Sequence, residues 1–243
     1  MKTRPHTLKA ELLIGLRASV DPASFRATFT DTAGASAGSL RRGIGQTWSL
    51  VIPPGEMPLL PHQLLMKDSP VPFDALIQLT SNDPADLVAM TDQLVRLASE
   101  LAPWIERSRS AVFVGQEVPI TQGIGPIMVA MPLRRLPSLT HEEFMQHWFG
   151  RHAALGEAVE GVRYRQNHVD AAATGALAAR LGFVFEPLDG LTESYFLTPA
   201  EAVELLSRDE VAVGAIDDEK RFIDHRRSQF GLYRAIVQQA PAA

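Results

Sequence analysis

Four of the chain's seven histidines lie between positions 141 and 168, in a segment that also contains several aromatic residues. Histidine is the side chain whose pKa most readily suits proton transfer near neutral pH. His152 follows Trp148 by four residues, so the indole ring could form one wall of an apolar pocket beside the imidazole. These residue types predict proton transfer on a small molecule, with His152 as the base.

A helix must position these histidines. Thr140 and Glu143 have the spacing of a capping box, in which each side chain binds the backbone N–H of the other. They predict a helix over residues 140–157. At about 100° per residue, three apolar side chains share the buried face of this helix: Phe144, Trp148 and Leu155.

His147 and His152 would flank that buried face, about 140° apart on an α-helix. Two histidines on one helix need a separation of three or four residues to bind the same metal ion. We therefore expect no metal site here. His152 is the candidate base, and the competing interpretation is a half-buried histidine that binds a backbone carbonyl. His147 is a candidate substrate contact.

Two predicted strands carry further candidates for acid–base chemistry. Tyr164 and His168 share one face of the strand at residues 162–169, because alternate side chains point the same way. That face either lines the interior of a barrel or packs under helices, and the sequence leaves both open. Glu193 and Tyr195 share a face of a later strand. A carboxylate inside an apolar barrel could have a raised pKa and act as an acid or base, whereas a solvent-facing glutamate is the alternative.

The composition of the chain excludes several classes of protein. Its 243 residues are 46% hydrophobic and 21% charged, as in ordinary globular domains, and the net charge of −5 comes without a basic patch for nucleic acid. Without cysteine, disulfides, thiolate zinc sites and cysteine nucleophiles are impossible. No apolar run approaches the roughly 18 residues of a membrane span, and residues 1–6 do not form a signal peptide. We expect a cytoplasmic protein without membrane contact.

Known cofactor and nucleophile motifs are missing as well. No glycine-rich phosphate loop follows a predicted strand, and the Gly-x-Ser-x-Gly nucleophile elbow does not occur. The chemistry is therefore expected to need no cofactor.

Two helix-capping sequences recur at matching separations. Asp21 opens a predicted helix as Thr140 does 119 residues later, and Asp83-Pro-Ala-Asp opens another as Thr198-Pro-Ala-Glu does 115 residues later. Matching offsets of this kind indicate an internal repeat. Each copy has the order β-α-β-β-α-β of a ferredoxin-like unit, whose helices cover one sheet face and leave the other in need of a partner.

We therefore predict an α+β fold of two ferredoxin-like units, residues 1–121 and 122–243, packed as a dimeric α+β barrel within one chain. Residues 53–72 contain six prolines and are expected to form an extended loop or a flap. The predicted strands are residues 11–18, 45–52, 73–80, 111–118, 127–133, 162–169, 191–197 and 229–237.

Taken together, the motifs of the second half resemble the EthD domain family. They are Phe144-Met-Gln-His147-Trp148-Phe-Gly-Arg-His152-Ala, Tyr164-Arg-Gln-Asn167-His168, Asp189-Gly190 with Glu193-Ser-Tyr-Phe196, and Asp218-Glu-Lys-Arg-Phe222-Ile-Asp224. The resemblance covers roughly residues 126–237 and implies the same barrel fold. It also implies that Trp148 and Phe196 shape the pocket and that Asn167 and Tyr195 contact the substrate. Because the counterpart helix in the first half, which contains Phe25, carries no histidine, we expect one site per chain.

The residues and the resemblance together predict a cofactor-independent lyase for a small apolar molecule, aromatic or polyketide-like. His152 would take a proton, Tyr164 or His168 would protonate the leaving oxygen or stabilise an enolate, and Glu193 would be a second acid or base. The barrel group implies two alternatives: a non-catalytic carrier of a hydrophobic ligand, and a cofactor-free or haem-dependent monooxygenase. The expected partners are the small molecule and a second copy of the chain in a homodimer.

Overall fold

Eight strands form one closed barrel in the computed structural model, which describes residues 6–38 and 40–241. Residues 1–5 and 242–243, at the outer ends of the two predicted units, lie outside the described chain. The strands are β1 Thr7–Ile14, β2 Ile44–Val51, β3 Ala75–Ser81, β4 Ala111–Pro119, β5 Ile127–Leu133, β6 Arg163–Val169, β7 Gly190–Phe196 and β8 Gly231–Gln239.

The order of the strands around the barrel is β1-β3-β2-β8-β5-β7-β6-β4, and each neighbouring pair is antiparallel. The first four strands lie side by side as β4-β1-β3-β2, and the last four as β8-β5-β7-β6. The two sets meet where β2 pairs with β8 and where β4 pairs with β6. Closure of this kind leaves no free sheet edge. The fold is an α+β barrel.

Helices cover the outside of the barrel. The described part of the chain contains no helix that is both long and apolar enough to span a membrane. The α-helices are α1 Pro22–Ala37, α2 Pro61–Leu65, α3 Leu87–Glu100, α4 His141–Met145, α5 Ala153–Ala158, α6 Ala171–Leu181, α7 Pro199–Leu206 and α8 Ile216–Glu219.

The predicted helix caps are confirmed. Oγ1 of Thr140 accepts the backbone N–H of Glu143 at 3.2 Å, and Oε2 of Glu143 accepts that of Thr140 at 2.7 Å. Asp21 accepts the N–H of Ser24 at 2.9 Å, and Thr198 accepts that of Glu201 at 3.1 Å. These contacts are local in sequence, which is why the spacing of the residues alone could predict them.

The first strand begins and ends four residues earlier than predicted. β1 covers Thr7–Ile14 instead of residues 11–18. It ends before Gly15, whose backbone N–H binds Oγ of Ser110 at 3.0 Å. A Cβ at Gly15 would lie 2.4 Å from the carbonyl oxygen of Arg109, so only glycine fits where the chain leaves the barrel.

Aromatic rings fill the space between α1 and the first-half sheet. The ring centroid of Phe29 lies 4.9 Å from that of Trp48 and 5.2 Å from that of Phe25. All three side chains are buried. The outer face of the first-half sheet is therefore closed by packed side chains, whereas the same face of the second half borders a cavity.

Charged side chains are buried inside the barrel. Nζ of Lys9 lies 2.5 Å from Oε1 of Glu193, 3.3 Å from Oε2 of Glu117 and 4.0 Å from Oε2 of Glu11. Gln78 and Tyr195 also donate to Glu193, at 2.6 and 2.7 Å. Arg165 lies 3.0 Å from Glu117. We call these seven residues the lumen cluster: Lys9, Glu11, Gln78, Glu117, Arg165, Glu193 and Tyr195.

Glu11 makes the stability of the barrel depend on pH. Its carboxylate is buried, with the ammonium group of Lys9 4.0 Å away and the amide of Gln78 beside it. Burial raises the pKa of Glu11 to about 8, against the attraction of Lys9. Between the pKa of the unfolded chain and about pH 8, the folded carboxyl keeps a proton that the unfolded chain releases, so rising pH removes stability.

We therefore expect Glu11→Gln to be more stable than the wild type at pH 8.5, and similar to it at pH 4.5. The difference at pH 8.5 should be on the order of 3–5 kcal/mol, at about 1.4 kcal/mol for each unit of pKa. Urea unfolding at the two pH values measures it. The exposed Glu142→Gln is the control and should show no such difference. Parallel pH curves for the wild type and Glu11→Gln would contradict the prediction.

Candidate functional site

A cavity lies between the outer face of the second-half sheet and the helices that cover this face. The space inside it that the centre of a water molecule can occupy is about 80 Å³. Most of its lining is apolar, with Val129 and Met131 from β5 on one side and Trp148 and Leu155 on the other. The polar residues in the lining are His62, His152, Tyr164, Thr192, Ser194 and Glu219.

The helix over this cavity is not a single α-helix, and this corrects the prediction for residues 140–157. After α4 the chain forms a π-helical segment, Gln146–His152, and then continues as α5. Hydrogen bonds in a π-helix join residues five apart. His147 and His152 are five apart and therefore lie above one another. The prediction that they point about 140° apart was wrong, because it assumed α-helical geometry.

Asp218 holds both of these histidines. This residue of α8 is buried. Its carboxylate lies 3.1 Å from Nε2 of His147 and 3.1 Å from Nδ1 of His152. Burial raises the pKa of Asp218, but the two histidine hydrogen bonds outweigh burial and hold the pKa below its usual value. Since the carboxylate is ionised, Nδ1 of His152 is the donor, and Nε2 is left for the cavity.

Glu219 is a second buried carboxylate beside the first. Oε1 lies 3.3 Å from Nε2 of His62, and Oε2 lies 3.1 Å from Nε2 of His225. Burial raises the pKa of Glu219, but His62 and His225 outweigh this effect, so the pKa is well below its usual range. Nε2 of His152 is 4.0 Å from Oε1 of Glu219, which is longer than a hydrogen bond.

Tyr164 presents a hydroxyl group to the cavity. Its oxygen accepts hydrogen bonds from Nε1 of Trp148 and from Nε2 of Gln166, both at 3.1 Å. Burial raises the pKa of Tyr164 to about 12, so the phenol keeps its proton at neutral pH. Because both lone pairs are engaged, the O–H group remains as a donor, and Thr192 is a further hydrogen-bond neighbour of the hydroxyl.

His168 lies outside the cavity lining and acts on Tyr164 through Gln166. Burial, with smaller effects of His6 and His141, lowers the pKa of His168 to about 4, so the ring is neutral at pH 7. Its Nε2 lies 3.3 Å from Oε1 of Gln166. This contact orients the amide so that its nitrogen faces Tyr164. The open question about this strand face is answered: it packs under the helices.

The structure does not bring all predicted site residues together. Glu193 and Tyr195 belong to the lumen cluster, on the opposite face of the sheet from His152. Asn167 also faces the interior, paired with Leu191, and its Nδ2 donates to the carbonyl of Leu191 at 2.9 Å. These three residues cannot reach a ligand that His152 contacts.

Of the remaining predicted substrate contacts, only one lines the cavity. Trp148 lines the cavity. His147 lies behind the lining and stacks on Phe222, with ring centroids 4.7 Å apart. Phe196 is buried in the apolar core of the second half and is not in the lining. Phe196 therefore supports the sheet and does not form a pocket wall.

Asp218 and Glu219 stand in one of the motifs that carry the family resemblance, but neither of them was assigned a role in the site from the sequence. The sequence feature that could have indicated their burial is the apolar pair Phe222 and Ile223, a few residues later. This pair is buried, as are the two carboxylates. His62 was missed as well, because it lies in the other half of the chain.

The chain is similar to known proteins in part of its sequence and in its fold. Residues 136–226 match the model of the EthD domain family. The match includes the π-helical segment, Asp218 and Glu219. No protein of curated function matches the chain in sequence.

Solved structures with a similar fold include a chlorite dismutase-like protein, with a TM-score of 0.54, 11% identity, and 96% of this chain and 95% of that chain covered. A variant of the chlorite dismutase from Candidatus Nitrospira defluvii has a TM-score of 0.50 and 10% identity, with 96% and 92% covered. Identities this low establish a shared barrel fold only.

The residues present do not fit a haem group, which one of the alternatives drawn from the sequence would require. Haem propionates need cationic partners, and no lysine or arginine belongs to the described lining of the cavity. Among the described residues, no group of three His, Asp or Glu side chains could hold a metal ion.

Proposed function

We propose that the chain is a lyase that works without a cofactor on a small, largely apolar molecule, aromatic or polyketide-like, bound in the second-half cavity. The observation that carries this proposal is the position of His152. Its ring lines the cavity while its Nδ1 is held 3.1 Å from the buried carboxylate of Asp218. A carboxylate that orients a histidine in this way prepares the other ring nitrogen to act as a base.

The chemistry begins with proton transfer to His152. When the ring is neutral, the lone pair of Nε2 takes a proton from a carbon next to a carbonyl group. The electron pair that remains forms an enolate, which then expels a hydroxyl from the neighbouring carbon. If His152 instead takes the proton of a hydroxyl group, the C–C bond beside that group breaks and its electron pair passes into the enolate. Tyr164 donates its O–H to the enolate oxygen, because Trp148 and Gln166 occupy the lone pairs of the phenol. The apolar lining excludes water from the intermediate.

The test is to incubate the wild type, His152→Ala and His141→Ala with a metabolite extract rich in aromatic and polyketide compounds, and to follow masses over time. We expect the wild type and His141→Ala to convert a compound to a lighter product, with loss of water, formaldehyde or carbon dioxide. His152→Ala should be at least about 10²-fold slower, since a general base contributes this much. His141 is a matched control because it lies on the same helix but binds Asp189.

The apolar lining also supports a second candidate function, a carrier of a hydrophobic ligand. Under this alternative, the wild type and His152→Ala retain the same compound and neither changes its mass. A gain of oxygen would instead indicate a monooxygenase. Equal turnover by the wild type and His152→Ala would remove His152 from the mechanism.

We also infer that the chain is a fused pair of ferredoxin-like units, residues 1–121 and 122–243. The strand orders β4-β1-β3-β2 and β8-β5-β7-β6 support this division. The active site is proposed for the second unit only, because Phe25, Phe29 and Trp48 occupy the equivalent space in the first. Homodimer formation and a cytoplasmic location stay predictions. Sedimentation velocity would measure whether the chain forms a homodimer.

A further inference from the structure

The first half of the chain contributes a side chain to the second-half cavity. Helix α2 lies within the proline-rich residues 53–72, and its His62 is only 5% exposed. The ring of His62 stacks on Phe230, with centroids 5.3 Å apart and planes inclined by 11°. His62 lines the cavity together with His152. The site is thus assembled from both halves, and the proline-rich segment positions one of its polar groups.

The two ring nitrogens of His62 have different surroundings. Nε2 lies 3.3 Å from Oε1 of the ionised Glu219 and is the donor of that contact. Nδ1 is buried and has no hydrogen-bond partner among the residues that the structure describes. Burying a polar atom without a partner is unfavourable. A group that enters the cavity would satisfy Nδ1.

We propose that Nδ1 of His62 binds a hydroxyl group of the ligand, and that this hydroxyl is the leaving group of the reaction. A hydroxyl can accept a hydrogen bond from the protonated imidazole and can donate one to the neutral imidazole. It therefore suits both states of His62, whereas a carbonyl or ether oxygen suits only the protonated state. This assignment rests on the proposed function. With a hydroxyl as the leaving group, the proposed lyase reaction is a dehydration.

Two histidines, each held by its own carboxylate, then divide the proton transfers. Nε2 of His152 takes a proton from the carbon next to a carbonyl group, and the C–H electron pair becomes the new C=C bond. The C–O electron pair leaves with the hydroxyl oxygen. Protonated His62, beside Glu219, supplies a proton from Nδ1 that converts the departing hydroxyl to water. The products are water, an unsaturated carbonyl compound, protonated His152 and neutral His62.

A pair of probes that differ by one hydroxyl tests this assignment without any turnover. Toluene and p-cresol are titrated into the wild type, His62→Phe, His62→Gln and His225→Gln, and dissociation constants are measured by NMR. We expect the wild type to bind p-cresol about tenfold more tightly than toluene, the effect of one hydrogen bond. His62→Phe should lose this preference, whereas His62→Gln should keep part of it, because its amide can still bind a hydroxyl. The ¹⁵N resonance of Nδ1 in the wild type should move only with p-cresol.

His225→Gln is the matched control. His225 binds the other oxygen of Glu219 at 3.1 Å but does not line the cavity, so this variant should keep the preference. A preference for p-cresol that survives in full in His62→Phe, or equal binding of the two probes by the wild type, would overturn the hydroxyl subsite.

The test of the hydroxyl subsite and the test of the lyase activity can succeed or fail independently. If the preference depends on His62 but no compound changes mass, the subsite stands and the lyase does not. If turnover depends on His152 but hydroxyl binding does not depend on His62, only the subsite fails.

Discussion

Lys9→Met is expected to destabilise the protein by about 3–5 kcal/mol, the range for breaking a buried ion pair by removing one partner. The ammonium group of Lys9 is buried and lies within 3.3 Å of the carboxylates of Glu193 and Glu117. Burial lowers the pKa of Lys9, but the three surrounding glutamates outweigh burial and raise it, so the charge is retained. Methionine has a similar volume, and the variant therefore removes the charge without opening a large cavity.

Urea unfolding measures this loss, and two further variants separate its causes. Lys67→Met, at an exposed position, should change the free energy of unfolding by no more than about 0.5 kcal/mol. Lys9→Met combined with Glu193→Gln should recover part of the loss, because the amide leaves no unpaired charge and can still bind Gln78 and Tyr195. A Lys9→Met protein as stable as the wild type would show that the lumen cluster does not stabilise the barrel.

The strands and caps were predictable because their signals are local. The strand at residues 127–133 was predicted with the same bounds that β5 has, Ile127–Leu133. The caps at Thr140 and Thr198 depend only on residues three positions away. Alternation along a strand also predicted that Glu193 and Tyr195 share a face. It could not show that this face is the barrel interior, which depends on closure by pairs distant in sequence, such as β4 with β6.

The geometry of the site was not predictable, because distant contacts determine it. The π-helical segment places His147 and His152 on one carboxylate, Asp218, which follows His152 by 66 residues. A helical wheel assumes α-helical rotation and separates the two histidines. His62 lies 157 residues before its partner, Glu219. No periodicity along the chain links residues so far apart, and only the docking of residues 53–72 onto the second half brings them together.

Asp218→Asn is expected to reduce turnover by about 10²–10³-fold while leaving KM nearly unchanged. The factor is that of losing an oriented general base. Asp218 is not in the cavity lining, so substrate binding should persist. The ionised carboxylate accepts the proton on Nδ1 of His152 and so keeps Nε2 free, whereas an amide can present its NH₂ group to the ring and favour the other tautomer. Steady-state kinetics with the compound identified by mass measures kcat and KM separately.

Asp217→Asn is the control, since Asp217 is the neighbouring, exposed carboxylate and pairs with Lys220 at 2.8 Å. It should keep full turnover.

A purely structural role for Asp218 would lower the fraction of folded protein but leave the His152 tautomer of the folded fraction intact. ¹⁵N NMR of the imidazole decides between these roles. In the wild type the proton should lie on Nδ1, and in Asp218→Asn it should be shared with Nε2. Turnover within threefold of the wild type, with the proton still on Nδ1, would show that Asp218 does not orient the base.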